Sequence, residues 1–180
     1  MIIVMGLPGA GKSTVLSAAS STSYKTVNYG DLMFEIASKE FGIKHRDELR
    51  KLDPATQKKV QASVGKALSG MGGKIILDTH CSIATPKGYL PGLPHSLLSG
   101  LKVDYLVLIT APVVEILARR SSDKTRVRDA ESPESLSEHD SMNRSFLAAY
   151  SCLSGAPAMI ILNRNGGLEA AQKKLLQLLQ

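Results

Sequence analysis

The chain contains no tryptophan, and its 3 Phe and 5 Tyr bring the aromatic share to only 4%. Surfaces that bind single-stranded nucleic acid use aromatic rings to stack bases, so a base-stacking platform is not expected. Cysteine is scarcer still. Cys81 and Cys152 lie far apart and neither belongs to a C-x-x-C pair. That argues against a structural zinc site and against a disulfide framework. Both are expected as small buried or half-buried side chains. No apolar run approaches the ~20 residues of a membrane span. The apolar start, Ile2-Ile3-Val4-Met5, is shorter than a signal-peptide core. The expected setting is the cytoplasm, with no membrane partner. Internal repeats, low-complexity tails and domain linkers are also lacking.

What the chain does have is 180 residues, 43% of them hydrophobic and 21% charged, which suits one folded domain with a substantial core. The net charge of +6 admits two partners, a nucleic acid or the phosphates of a small molecule. The shortage of aromatics and the gathering of arginines in short segments favour a phosphate pocket, and no nucleic-acid partner is expected.

The most specific signal is Gly6-Leu7-Pro8-Gly9-Ala10-Gly11-Lys12-Ser13. It follows an apolar run and leads into the helix-like stretch from Thr14 to Ala19, the strand–loop–helix setting of a P-loop. Glycines let the backbone turn so that successive N–H groups face an anion. The start of the next helix adds its positive dipole end. Lys12 can reach the outer phosphates, and the Ser13 hydroxyl can ligate Mg2+. The pattern implies a site for a nucleoside triphosphate.

Strand and helix signals alternate from end to end, which predicts an α/β fold with a parallel sheet. The strands are expected at Ile2–Met5, Tyr24–Asn28, Lys74–Leu77, Tyr105–Ile109 and Ala158–Leu162. They are short and apolar, as strands covered on both faces should be. Asp53-Pro54 and Ser132-Pro133 read as helix starts, a capping residue followed by proline. Two stretches interrupt the alternation, a Pro- and Gly-rich loop over 79–94 and a very polar one over 119–131. Long loops inside a compact domain usually carry function.

Several residues fall at positions suited to phosphate chemistry. Lys74–Leu77 ends in Asp78, and in P-loop folds a carboxylate there holds Mg2+ or its water shell. Tyr29-Gly30-Asp31 lies at the carboxyl end of the second strand, the edge where open parallel sheets bind ligands. Asp31 either faces the ligand or caps a helix over Leu32–Phe41. Arg46 and Arg50 are spaced i,i+4 on an expected helix, which would put them on one face. Arg119, Arg120, Arg126 and Arg128 crowd one segment. Guanidinium groups there could hold and neutralise a transferring phosphoryl group.

Taken in order, Gly6–Ser13, Tyr29-Gly30-Asp31, 46–52, Asp78-Thr79-His80, Thr85-Pro86-Lys87-Gly88-Tyr89-Leu90-Pro91-Gly92-Leu93-Pro94 and Arg119–Asp129 resemble the archaeal-type adenylate kinases over nearly the whole chain. The resemblance implies reversible transfer from ATP to AMP, with Mg2+. It implies a three-layer P-loop kinase core with a five-stranded parallel sheet and helices on both faces. It further implies a monophosphate-binding insertion over 30–73, a short lid over 119–131, and a homotrimer. On these positions it places the nucleotide against Gly6, Leu7, Pro8, Gly9, Ala10, Gly11, Lys12, Ser13 and Thr14. The acceptor falls to Tyr29, Asp31, Arg46, Arg50, Thr79 and His80, the metal to Ser13 and Asp78, and catalysis to Lys12, Arg119, Arg120, Arg126 and Arg128.

The chain departs from the bacterial-type enzymes of that family. Leu32-Met33-Phe34 and Thr79-His80-Cys81 stand where those carry arginines, and the lid segment has no cysteine for zinc. Two rivals stay open. One is a kinase of the same fold acting on CMP, UMP or a small hydroxy acid. The other is a P-loop NTPase that switches a ribosomal or nucleic-acid partner.

Overall fold

The computed structural model describes residues 1–122 and 132–180, with residues 50 and 51 described by their backbone alone. In chain order the strands are β1 (Ile2–Gly6), β2 (Lys25–Asn28), β3 (Ile75–Thr79), β4 (Ser82–Thr85), β5 (Gly88–Pro91), β6 (Tyr105–Thr110) and β7 (Ala158–Leu162). The helices are α1 (Lys12–Leu16), α2 (Tyr29–Phe41), α3 (Pro54–Ser69), α4 (His95–Leu98), α5 (Val113–Ser122), α6 (Pro133–Ser154) and α7 (Leu168–Leu178). Two 3-10 segments, Ser17–Ser21 and Arg46–Lys51, complete the regular structure of the described residues.

The apolar runs build one five-stranded sheet in the order β2-β3-β1-β6-β7, parallel at every pairing. Side chains alternate across it with the two-residue period of a strand. Ile3, Met5, Leu77, Leu106 and Leu108 join a core that also takes residues of α2, α3, α4 and α6. Ile2, Val4, Ile76, Val107 and Ile109 join the opposite core with Val15 of α1 and Ala171 and Leu175 of α7. Helices therefore cover both faces, giving three layers. From β1 the chain crosses to β2, and from the adjacent β6 it moves the other way to β7. That divergence opens a crevice at the carboxyl ends of the strands, where ligands bind in such sheets.

Four local features differ from the sequence reading. The 79–94 stretch is not irregular: β4 and β5 pair antiparallel, Ile83 opposite Leu90, around Pro86-Lys87. Strands of four residues fall below what periodicity can register, and Pro91 is tolerated because a two-stranded ribbon is all edge. Helix α2 begins at Tyr29, capped by the Asn28 side chain, which accepts from the Asp31 amide. Asp31 is thus a first-turn acid, not the cap. Residues 46–51 form a 3-10 helix. With about three residues per turn, positions 46 and 50 lie roughly 120° apart around the axis, so the shared-face argument does not hold. Cys152 is exposed, on the solvent side of α6, while Cys81 is buried.

Candidate functional site

The loop from β1 to α1 is shaped by its glycines. Gly9 and Gly11 sit at φ 89° and 80°, a region that L side chains rarely adopt. Gly6 passes so close to the Ile109 carbonyl that a Cβ has no room. Ala10 N donates to Leu7 O at 3.1 Å and Val15 N to Gly11 O at 3.0 Å. Helix α1 then starts with no side-chain cap and no acid in its first turn. Its leading N–H groups stay available to an anion. Ser13 and Thr14 lie exposed on that turn, and the Ser13 hydroxyl has no hydrogen-bond partner among the described residues.

Lys12 reaches across to the end of β3 and forms an ion pair with Asp78 Oδ1. The two side chains are 14% and 11% exposed. Burial draws the Lys12 ammonium down to about 8, and the adjacent carboxylate opposes that shift. The other carboxylate oxygen, Oδ2, accepts from Asn28 Nδ2 at 3.0 Å. Asn28 and Asp78 are register partners across the β2–β3 pairing, which is why they meet. One asparagine therefore orients Asp78 with its amide nitrogen and starts α2 with its amide oxygen. Sequence reasoning passed over Asn28, although an asparagine between a strand and a helix is itself a capping signal.

At the start of α2, Arg46 Nη1 meets Asp31 Oδ1 at 2.6 Å, both side chains more than half exposed. Gly30 makes room for that guanidinium: a Cβ there would run into Arg46 Nη2. Arg50 lies four residues along the same 3-10 segment. Tyr29 turns inward to the first core. Its hydroxyl has no hydrogen-bond partner among the described residues, and burial pushes it up to about 12. Tyr29 is thus packed into the floor of the site rather than lining its open side.

Thr79 is buried at the end of β3, and His80 is exposed at the entry to the hairpin. The Tyr150 hydroxyl of α6 closes the base of that hairpin. It donates to Cys81 O at 2.8 Å and accepts from Leu93 N at 3.2 Å. Burial, helped by the charge of Asp140, pushes the Cys81 thiol up to about 12, so it is no nucleophile.

Arg119 and Arg120 stand behind the P-loop. Arg120 Nε donates to Pro8 O at 2.8 Å. Arg119 Nη2 donates to Asn163 O at 3.0 Å, to Asn165 Oδ1 at 2.7 Å and to Glu115 Oε2 at 3.0 Å, and Nη1 lies 3.4 Å from Ala10 O. Asn163, the residue after β7, also reaches Ala10 O, through Nδ2 at 2.9 Å. It too went unnoticed in the sequence, where one asparagine after a strand carries no pattern. Arg126 and Arg128 lie outside the described residues.

The site thus gathers a phosphate-binding loop, Lys12, Asp78 and Asn28 at the strand ends, with Asp31 and Arg46 at the start of α2. The chain is similar to known proteins along its whole length. A family model described as an AAA domain matches residues 5–137. An adenylate kinase from Methanocaldococcus jannaschii is 44% identical, covering 100% of this chain and 98% of that protein. Another from Methanothermobacter thermautotrophicus is 42% identical, covering 100% and 99%. A third, from Thermococcus kodakarensis, is 41% identical, covering 99% and 94%. Among solved structures, a shikimate kinase from Acinetobacter baumannii in complex with shikimate superposes with a TM-score of 0.60 at 20% identity, covering 99% of this chain and 92% of that one. At that identity the likeness concerns the fold alone.

Proposed function

Because this chain belongs to the adenylate kinases, within the reach of the AAA-domain family model, we propose that it transfers the terminal phosphoryl group of ATP to AMP, reversibly, giving two ADP. The observation that carries the reading is identity above 40% along the full length of relatives so named. The geometry supports it from below. Phosphoryl transfer asks little covalent chemistry of a protein and much positioning and charge stabilisation. The P-loop N–H groups receive the phosphates, and Lys12 exchanges the Asp78 carboxylate for a phosphate oxygen. No covalent enzyme intermediate is needed.

Ser13 and Asp78 offer hard oxygen donors of the kind Mg2+ takes, and the free Ser13 hydroxyl fits that role. When bound, the ion would neutralise phosphate charge. The acceptor end is assigned to Asp31, Arg46, Arg50, Thr79 and His80 within and beside the 30–73 segment, with Tyr29 beneath them. Arg120, Arg126 and Arg128 are assigned to the phosphates, with 119–131 as a lid; Arg119, expected beside them, is bonded instead behind the P-loop, to Asn163 O and Ala10 O. Hydrogen exchange over 119–131, with and without a bisubstrate ligand, tests the lid: unchanged protection would count against it. Homotrimeric assembly and a cytoplasmic setting belong to the same reading, and light scattering on the purified chain would overturn the first by returning a monomer.

A panel of monophosphates tests the acceptor. With Mg-ATP, AMP is expected to be phosphorylated far better than CMP, UMP or GMP. Equal or better use of CMP or UMP would overturn the assignment.

A further inference from the structure

A cradle of N–H groups has a back as well as a front. Each peptide unit is a rigid plane whose C=O and N–H point in opposite directions. Turning an N–H toward an anion therefore turns the carbonyl of the preceding residue away from it, and that carbonyl needs its own partner. In this loop the outward carbonyls of Pro8 and Ala10 both have donors. Arg120 Nε holds Pro8 O at 2.8 Å, and Asn163 Nδ2 holds Ala10 O at 2.9 Å.

Asn163 is itself fixed from three directions. Its side chain is packed away, the residue being 5% exposed. Its backbone N–H donates to Thr110 O at 2.8 Å, extending the β6–β7 pairing by one step. Its carbonyl accepts from Arg119 Nη2 at 3.0 Å. Arg119 is in turn held by Glu115 Oε2 at 3.0 Å, and the same oxygen takes the Asn165 amide at 2.6 Å. Gly11, the residue whose N–H shares a peptide plane with Ala10 O, has no Cβ, and one placed there would fall on Asn163 Nδ2. Glycine makes this plane easy to flip, so something must hold it.

We propose that Asn163 is a positioning residue for phosphate binding: its amide fixes the Ala10–Gly11 peptide so that the Gly11 N–H faces the phosphates. Arg119 supports Asn163 from behind through its carbonyl, and its Nη1 adds a longer contact of 3.4 Å to the same Ala10 carbonyl. The proposal rests on the reading of this loop as the ATP site. It gives a residue more than 150 positions away in sequence from Ala10 a share in ATP affinity, without contact to ATP.

The test is Asn163→Leu, neutral and of similar size but without a donor. ATP affinity is measured by calorimetry, melting temperature and the KM for AMP are measured beside it, and the Gly11 amide resonance is followed on adding ADP. A hydrogen bond to a charged group is at stake, so the expected loss of ATP affinity is about tenfold to a hundredfold. The KM for AMP should stay within about twofold of its unsubstituted value, and the Gly11 amide should shift less on ADP binding. Asn163→Ser, whose shorter side chain does not span to Ala10 O, carries the same expectation should the leucine variant fail to fold. ATP affinity unchanged in the folded variants would overturn the proposal. So would an equal loss for ATP and AMP with a lowered melting temperature, which marks a purely structural role. If the unsubstituted chain binds no ATP, the reading beneath the proposal falls instead, and the two failures are told apart by that control.

Discussion

Replacing Asn28 separates two jobs that one side chain performs. Its Nδ2 lies 3.0 Å from Asp78 Oδ2, and its Oδ1 lies 3.1 Å from the Asp31 amide. Serine caps helices about as well as asparagine, so Asn28→Ser keeps the start of α2. It is too short to keep the bond to Asp78. Asn28→Ala loses both. A hydrogen bond to a charged group contributes about 1.5–3 kcal/mol when buried. Asn28 is only half-buried, which places this one at the lower end, and a cap contributes about 1 kcal/mol. Asn28→Ser is therefore expected to lose roughly 1.5 kcal/mol of stability and Asn28→Ala roughly 2.5 kcal/mol. Urea unfolding at a common slope reads the difference as a shift in midpoint. Turnover should fall by a similar factor in both variants, since both release the same carboxylate oxygen. Equal midpoints for serine and alanine would remove the capping role. A serine variant with unaltered stability and turnover would refute the link to Asp78.

Three further expectations follow. Arg50→Ala should raise the KM for AMP about tenfold to a hundredfold, the worth of a charge-assisted bond, with the KM for ATP little changed. An effect confined to ATP would show that the acceptor end is misplaced. Arg46→Ala should leave unfolding within about 0.5 kcal/mol of the unsubstituted chain, because its pair with Asp31 is solvent-exposed, and a larger loss would mean that the pair is shielded. A thiol reagent at neutral pH should modify one cysteine per folded chain rapidly. Cys152 is exposed and Cys81 is buried with its thiol pushed up to about 12, so two fast-reacting thiols would contradict the packing around Tyr150.

Much of this was legible in the sequence because the signals were local and repeated. The five apolar runs announced the sheet, and the P-loop announced itself through spacing, glycine and Lys-Ser together. Asp78 was legible as the polar end of an apolar strand. What escaped was of another kind. The β4–β5 hairpin is too short for a periodic signal, and its Pro and Gly read as loop. The 3-10 winding of 46–51 cannot be told from an α-helix in six residues. Asn28 and Asn163 act through single bonds to residues 50 and 153 positions away. Such partners become neighbours only when parallel strands fall into register. Arg119 was legible as a cation near the site, but only the fold shows it bonded to the back of the P-loop through Asn163 and Ala10.

The most direct test of the central claim is the product balance with Mg-ATP, followed by phosphorus resonance or chromatography, with and without AMP. Two ADP are expected for each ATP and AMP consumed, with no appreciable turnover when AMP is omitted. ATP hydrolysis that proceeds without AMP, releases inorganic phosphate and rises on adding RNA would contradict it, and would favour a nucleotide-driven switch instead.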